Sequence, residues 1–296
     1  MNLAPDSKVL IQGIAEPLGA LSAVRMQSYG TQIVAGVSPG KGGQLLQDIP
    51  IFDLVEQALV AVGSIDISII FTQPYSALDA ALEAIAAGIR QIILVTNGIP
   101  PLDMVFLLRK AAVTGTTILG SGSLGIIIPD KLLLGTQESR FYTPGEVGLI
   151  SRCGNLVYEV ALALNQAGLG QSMSISLGCD AMIASTYETW LPILAANKNT
   201  KAIVLISQAG YKGEEKLAQY ITEKIDKPAI AYFVGRQFLG ETPLSDLGGL
   251  IAAQMALPIV DNTTAQEKML AFKEAKIPLA EQPAQIPDLV KKVLKK

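Results

Sequence analysis

The chain has 296 residues, 50% of them hydrophobic, and a formal net charge of −3. It is long enough for two domains of ordinary size, and its small, interspersed charge argues against nucleic acid or an anionic membrane surface as a partner. The first residues, MNLAPDSK, lack the features of a secretory signal, and every apolar run is too short or too interrupted to span a bilayer. We therefore expect a cytoplasmic protein.

Histidine is absent from the sequence, which contains two cysteines, Cys153 and Cys179. Without histidine, neither Ser-His-Asp nor Cys-His catalysis nor a phosphohistidine can form within this chain. Two cysteines without histidine are too few for a structural zinc site, so no metal is expected. The two thiols fit a reducing compartment and exclude a disulfide scaffold.

The first half of the chain alternates short apolar runs with stretches of helical length, a pattern typical of parallel βαβ units. Gly88 and Gly115 stand at the ends of helical stretches, where C-cap residues belong. The predicted strands cover residues 8–12, 32–37, 67–71, 91–96 and 117–119, and the predicted helices cover 77–87 and 103–113. We therefore expect a parallel sheet with helices between its strands.

A second series of the same kind begins near residue 147. Its predicted strands cover 147–150, 173–177, 202–207 and 229–234, and its predicted helices cover 156–166, 187–195, 214–224 and 265–275. Segment 126–145 contains Pro129, Pro144 and several turn residues and separates the two series. We place the domain boundary near Pro144, which gives domains 1–144 and 145–296 in an α/β fold with two parallel sheets.

Ligands of open parallel sheets bind beyond the carboxyl ends of the strands, so functional residues are sought in the loops that follow strands. The most specific of these loops is VSPGKGG, 37–43, in which Pro39 fixes a turn and three glycines allow close backbone approach. Lys41 presents an ammonium there, which suits an anionic ligand. The spacing is not that of a Walker loop, and the loop taken alone is more simply a turn with a solvated lysine.

Four segments occur together in the order and spacing of one family: VSPGKGG, VTNGIPPLDM (95–104), VGLISRCGNLVYE (147–159) and GGLI (248–251). The chain resembles the alpha subunit of succinyl-CoA synthetase and its acid–CoA ligase relatives over essentially its whole length. The resemblance implies a Rossmann-like CoA-binding domain, a flavodoxin-like ligase domain and a partner beta subunit with an ATP-grasp fold; a homo-oligomer is the other assembly considered. Family members join a carboxylic acid to CoA at the expense of a nucleoside triphosphate, through an acyl phosphate and a phosphohistidine on the alpha chain.

The residues at the catalytic positions of that family differ in this chain. Asp246 stands at the place of the phosphohistidine, and Gln208 replaces the glutamate that orients it. The family's phosphate loop is altered to GSGSLG at 120–125, while Tyr158 matches a substrate-site position. An aspartyl phosphate on Asp246 is chemically feasible, but the joint changes favour a protein without this phosphoryl transfer.

The segment SRCGNLVYE places Cys153, Gly154 and Asn155 at the start of a helix, whose amide groups and dipole form an anion or substrate site. The equally weighted alternative is that Gly154 and Asn155 only cap the helix. Cys153 has no histidine to act as its base, so ordinary buried thiols at Cys153 and Cys179 are favoured over a nucleophile or a redox pair.

The resemblance also assigns three loops to CoA binding, and only the lysine loop is intact. In the first loop Glu16 replaces a small residue and would repel a phosphate by about 1 to 4 kcal/mol, so CoA binding is expected to be weakened. As an alternative, Glu16 before Pro17 accepts hydrogen bonds from the helix amides and occupies the anion site itself. The cofactor-binding residues are Gly13, Glu16, Gly19, Pro39, Lys41, Thr96, Asn97 and Gly98.

These patterns predict an alpha-subunit-like protein that is catalytically degenerate and acts as a binding, regulatory or scaffold subunit. The alternative is an active acid–CoA ligase subunit with modified chemistry, which cannot dispense with CoA binding. A third class, an NAD(P)-binding Rossmann protein, is disfavoured because no GxGxxG follows the first strand and no acidic residue clearly ends the second.

Overall fold

The computed structural model describes residues 3–208, 214–234 and 265–295. They form two compact units: the first contains the residues up to Gln137 and the segment Met182–Ser185, and the second contains Glu138–Ala181 and the residues from Thr186 on. The predicted α/β class with two largely parallel sheets is confirmed. The assignment of domains 1–144 and 145–296 stays a prediction.

The first unit is built around one sheet in the order β3-β4-β2-β1-β5-β6-β7, parallel except for the antiparallel pair β3–β4. Its elements are β1 (Val9–Gln12), α1 (Pro17–Ser28), β2 (Ile33–Val37), β3 (Leu45–Leu46), β4 (Ile49–Phe52), α2 (Val55–Val62), β5 (Ile67–Ile70), α3 (Ala77–Ala86), β6 (Gln91–Leu94), α4 (Pro101–Thr114) and β7 (Thr117–Leu119). A hairpin of β8 (Gly125–Ile128) and β9 (Leu132–Gly135) follows. Because the chain leaves β1 toward β2 and later returns on the other side at β5, the strand order reverses between β1 and β5, which is where open sheets bind ligands.

The second unit arranges its own strands in the parallel order β14-β13-β12-β10-β11. Its elements are β10 (Pro144–Ser151), α5 (Leu156–Gln166), β11 (Gln171–Ser176), α6 (Tyr187–Ala196), β12 (Ala202–Gln208), α7 (Glu214–Lys224), β13 (Ala229–Val234), α8 (Ala265–Glu274), β14 (Leu279–Ala280) and α9 (Ile286–Leu294). The strand order reverses between β10 and β12, so the turn from β10 into α5 lies beside that reversal.

The predicted separator at 126–145 differs from the structure. Residues 125–128 and 132–135 form the hairpin β8–β9, whose turn contains Asp130 in a left-handed conformation with φ +60°. Both strands are short apolar runs that lack alternation, and Pro129 between them suggested a linker. Such runs carry no period that identifies a strand, so only the pairing of the two segments makes them one.

Strands β1 and β5 form the buried centre of the first sheet. Every residue of both strands is buried, and since successive side chains point to opposite faces, both faces of the sheet are covered there. The buried polar side chains in these strands are paired: the Ser68 hydroxyl donates to Gln12 Oε1 at 2.8 Å, and Gln12 Nε2 donates to the Ala80 carbonyl at 2.8 Å. The polar side chains of Gln12 and Ser68 are therefore buried in the core with hydrogen-bond partners, close to the ligand-binding edge of the sheet.

The start of α1 packs directly against the loop that follows β1. Gly13 has φ +79°, and a Cβ there would meet the backbone nitrogen of Thr72 at 2.8 Å. A Cβ on Gly19, in the first turn of α1, would overlap the carbonyl oxygen of Gly13. Both glycines are therefore required by close backbone approach, which brings the helix N-terminus to the end of the sheet.

We expect Gly19→Ala to destabilise the protein by about 1–3 kcal/mol, because the new methyl group must displace the loop after β1. Alanine otherwise favours a helix over glycine by up to about 1 kcal/mol, so a loss would show that the backbone contact dominates. Urea-induced unfolding measures the change. The matched control is Gly154→Ala, whose Cβ would meet no atom within 4 Å; equal stability of both variants would contradict the constraint at Gly19.

Candidate functional site

The crevice at the strand reversal of the first unit is bridged by two side chains. Gln73, which follows β5, donates from Nε2 to Glu16 Oε2 at 3.0 Å. Glu16 is the N-cap residue of α1, but its side chain makes no capping hydrogen bond, and Pro17 at the first helical position has no N–H to donate. The expectation that the Glu16 carboxylate accepts helix amide hydrogen bonds is therefore wrong, since this carboxylate turns to the amide across the crevice.

Two threonines lie at the same edge of the sheet. Thr96, which comes shortly after β6, donates from its hydroxyl to the Thr72 carbonyl at 2.7 Å. The Thr72 hydroxyl oxygen is buried and has no hydrogen-bond partner within the described ranges. Asn97 and Gly98 beside them are exposed, and Gly98 has φ +71°. Thr96 thus links the two loops, while the Thr72 hydroxyl remains a buried polar group at this edge of the sheet.

The lysine loop follows β2. Pro39 and Lys41 are exposed, and the amides of Gly40 and Gly42 donate to Asp53 Oδ1 at 2.7 and 3.0 Å. Sequence reasoning missed Asp53. The available signal was its place between the apolar run of β4 and the helical pattern of α2, where an aspartate serves as a turn or capping acceptor.

The eight residues assigned to CoA binding all come together at one edge of the first sheet. They follow strands β2, β1 and β6. Thr72 and Gln73 follow β5, which lies between β1 and β6 in the order β2-β1-β5-β6. The carboxyl ends of parallel strands share one edge, so these loops face a common ligand region. The altered loop at 120–125 joins the same edge, because the Gly122 amide donates to the Thr96 carbonyl at 2.9 Å.

In the second unit, the turn between β10 and α5 is tightly organised. The Cys153 amide donates to the Ser151 hydroxyl oxygen at 3.0 Å, and that hydroxyl donates back to the Cys153 carbonyl at 3.1 Å. Cys153 is buried and is not joined to Cys179 in a disulfide. Asn155 is the N-cap of α5, yet it is exposed and its side chain makes no capping hydrogen bond. Asn155 therefore does not cap α5 through its side chain, and close packing does not require glycine at position 154, because a Cβ there would meet no atom within 4 Å.

Tyr158, on the first turn of α5, belongs to an aromatic cluster. Its ring stacks on Phe141 with centroids 4.9 Å apart and meets the edge of Tyr142 at 6.3 Å. Its hydroxyl oxygen accepts the Glu138 amide at 3.3 Å, and the Arg140 guanidinium lies 5.1 Å from the centre of the Phe141 ring. The position of Tyr158 is therefore fixed by two ring contacts and one hydrogen bond.

The other catalytic candidates are only partly described. Gln208 ends β12 and is half-buried beside β10, where the Arg152 amide donates to the Ile206 carbonyl at 2.9 Å. Asp246 and the GGLI segment 248–251 lie outside the described residues. Within the described part of the chain, no group of three or more Cys, Asp or Glu side chains is placed to hold a metal ion. No helix of that part has the length and apolar character needed to cross a membrane.

Comparisons with known families agree with this arrangement. Residues 5–98 match the CoA binding domain family, and residues 150–239 match the CoA-ligase family. Fold and matches together define a two-domain protein in which a CoA-binding domain precedes a CoA-ligase domain.

Curated relatives identify the family more closely. Subunit alpha 1 of the ADP-forming succinate–CoA ligase of Archaeoglobus fulgidus is 35% identical over 98% of this chain and 96% of its own length. The alpha subunit of the malate–CoA ligase of Methylorubrum extorquens is 34% identical over 86% of this chain and 87% of its own. The chain belongs to the family of succinate–CoA ligase alpha subunits, which confirms the resemblance found in the sequence.

A solved structure shares the fold. ATP citrate lyase of Methanothrix soehngenii, determined with citrate and coenzyme A, matches with a TM-score of 0.84 and 20% identity. The match covers 100% of this chain and 50% of the lyase chain, so this chain spans half the length of the lyase chain. At this identity the likeness concerns the fold alone.

We expect Tyr142→Phe to reduce the loss of stability above pH 10. Burial raises the pKa of the Tyr142 hydroxyl, the Ser174 hydroxyl bonded to it lowers that pKa in part, and Tyr158 raises it further. Because the folded pKa lies above the unfolded one, the unfolded chain loses this proton first, and stability falls by about 1.4 kcal/mol per pH unit above the unfolded pKa. The variant lacks this contribution.

Urea-induced unfolding between pH 9 and 11.5 measures the slope of stability against pH. The control is Tyr75→Phe, because the Tyr75 side chain is 84% exposed and its hydroxyl meets water in both states. Equal slopes for the Tyr142→Phe variant and the unaltered protein would show that the Tyr142 hydroxyl ionises without unfolding.

Proposed function

We propose that this protein is a CoA-binding, alpha-subunit-like member of the succinate–CoA ligase family that does not carry phosphoryl groups, and that it acts as a binding, regulatory or scaffold subunit. The observation that carries the proposal is the absence of histidine from all 296 residues. Asp246 stands at the phosphohistidine position, and Gln208 stands in place of the glutamate that orients it. Both the phosphoryl carrier and its orienting residue are therefore missing. Gln208 cannot supply the negative charge that stabilises an imidazolium.

CoA binding is supported by the edge of the first sheet. The family match over 5–98 covers this edge, Lys41 is exposed there, and the buried Thr72 hydroxyl lacks a partner in the described ranges. The residues therefore fit a ligand with phosphate and amide groups. The Glu16–Gln73 contact spans the same crevice and places a carboxylate near a bound phosphate, so binding is weaker than in a relative with a small residue at this position.

A partner subunit is part of the proposal. The curated relatives are named as alpha subunits, and the part of the lyase chain that this chain matches is half of that chain. The proposed partner is a beta subunit with an ATP-grasp fold; assembly into a homo-oligomer is the alternative.

The alternative function is an active acid–CoA ligase subunit with modified chemistry. The observation that favours it is the 35% identity to a succinate–CoA ligase subunit over 98% of this chain. In that case Asp246 carries the phosphoryl group, or an acyl phosphate passes to CoA at the partner. Both routes require CoA and a carboxylic acid.

We expect no phosphoryl transfer to this chain. The purified protein, alone and with the ATP-grasp subunit of its cell, is incubated with γ-labelled ATP, and separately with succinyl-CoA and phosphate. Because histidine is absent, the label should stay in nucleotide and phosphate, while calorimetry detects CoA binding.

The control for this experiment is Asp246→Asn, which removes the one acceptor at the phosphohistidine position. Label that appears on the unaltered chain and is lost in Asp246→Asn would establish the active alternative. Acid-dependent consumption of CoA would also refute the degenerate role. No heat of binding at millimolar CoA would refute CoA binding itself.

We expect Glu16→Ser to bind CoA about five- to tenfold more tightly, since it removes roughly 1 kcal/mol or more of charge repulsion and the contact with Gln73. The matched variant Glu16→Gln removes the charge but keeps a side chain that reaches Gln73. A gain in both variants identifies charge as the cause, and a gain in Glu16→Ser alone identifies the bridge across the crevice. Calorimetry at constant ionic strength measures both, and unchanged affinity in both would remove Glu16 from the site.

A further inference from the structure

The lysine loop is organised by a carboxylate that is not part of the loop. Asp53 Oδ1 accepts the amide of Gly40 at 2.7 Å and the amide of Gly42 at 3.0 Å. These two amides flank Lys41 in the chain, and the Lys41 amide itself donates to the Ser38 carbonyl at 3.0 Å. One carboxylate oxygen thus holds the backbone on both sides of the exposed lysine.

The glycines of the loop match this contact. Gly40 has φ +78°, a conformation that favours glycine. A Cβ on Gly42 would lie 2.5 Å from Asp53 Oδ2 and 2.8 Å from its Cγ. The sequence PGKGG is therefore suited to wrap around a carboxylate at the position of Asp53, and a larger residue at Gly42 would displace it.

The backbone from Asp53 to the start of α2 is held in place by hydrogen bonds to side chains. The Asp53 amide donates to Gln57 Oε1 at 3.2 Å, and the Val55 amide at the start of α2 donates to Glu83 Oε1 at 2.8 Å. Gln12 Nε2 on β1 lies 3.4 Å from Glu83 Oε2. Hydrogen bonds through Glu83 therefore link the centre of the sheet to the start of α2 at Val55, two residues after Asp53.

We propose that Asp53 is the positioning residue of the anion site: it fixes the loop so that Lys41 faces the phosphate groups of CoA. The inference rests on the proposed CoA binding and identifies the residue that orders the lysine loop for binding an anion. Concave runs of backbone amides attract anions, and here Asp53 already occupies the amides of Gly40 and Gly42. The ligand therefore meets the Lys41 ammonium rather than the loop amides, and the ordering of the loop is completed before binding.

Two substitutions of Asp53 distinguish the effect of its hydrogen-bond acceptor from the effect of its negative charge. Asp53→Leu removes both while keeping similar size, and we expect the Kd for CoA to rise about tenfold, because both bonds to a charged acceptor are lost. Asp53→Asn keeps an oxygen that accepts both amides but removes the negative charge beside Lys41. Its Kd should stay within about threefold of the unaltered protein or be lower.

The neighbouring Asp48 provides matched controls. It is an exposed carboxylate in the turn between β3 and β4, and no hydrogen bond joins it to the lysine loop. Asp48→Leu and Asp48→Asn therefore make the same changes of side chain and charge without touching the loop amides. Both should leave the Kd for CoA unchanged within about twofold.

Hydrogen exchange of the loop gives a readout without ligand. In the unaltered protein and in Asp53→Asn the amides of Gly40 and Gly42 should be protected. In Asp53→Leu they should exchange about tenfold faster or more, while the amides of the β1 and β5 strands stay protected. This pattern separates a loosened loop from general unfolding.

The outcomes are distinguishable. Weak binding by Asp53→Leu, rescue by Asp53→Asn and unchanged Asp48 variants would support the positioning role. Unchanged affinity in Asp53→Leu, or equal losses in Asp53→Leu and Asp53→Asn, would overturn that role while leaving CoA binding intact. No CoA binding by the unaltered protein would instead overturn the proposed function, and the role of Asp53 toward CoA with it.

Discussion

The close contact between Gly13 and Gly19 is the constraint on which the ligand-binding edge depends. Since neither residue has a side chain, the N-terminus of α1 lies directly on the loop after β1, and that loop lies against the backbone of Thr72 after β5. This contact places the start of α1 beside the ends of the paired strands β1 and β5, at the point where the strand order reverses. Glu16 and Gln73 can meet across the crevice only because the two backbones approach so closely.

Two loops at the carboxyl edge of the first sheet interact with carboxylates of this chain, but with different consequences. Asp53 bonds to the amides around Lys41 and orders the loop, leaving the ammonium exposed. Glu16 bonds to a neutral amide, so its negative charge stays at the crevice. In the proposed CoA site, the first carboxylate thus supports anion binding and the second opposes it.

Most strands of the two parallel sheets followed from the sequence, because parallel strands are buried on both faces and read as continuous apolar runs, but β3, β4 and α2, at residues 45–62, were not predicted. Strand β7 and helix α5 were predicted with the bounds that the structure has. The hairpin β8–β9 was missed because its runs carry no period, and Asp53 was missed because its partners lie 11 and 13 residues away in the chain. Tyr158 was found through family resemblance, whereas its stacking on Phe141 required the structure.

The sequence by itself determined that catalysis through a phosphohistidine is excluded in this chain. A chain without histidine cannot form a phosphohistidine in any conformation, because composition alone decides which functional groups exist. Only the tertiary structure decided where the remaining groups point. Glu16 turns to Gln73 rather than to the amides of α1, and Asp53 reaches the loop of Lys41, because these contacts depend on how the strands are ordered and how closely the backbones approach.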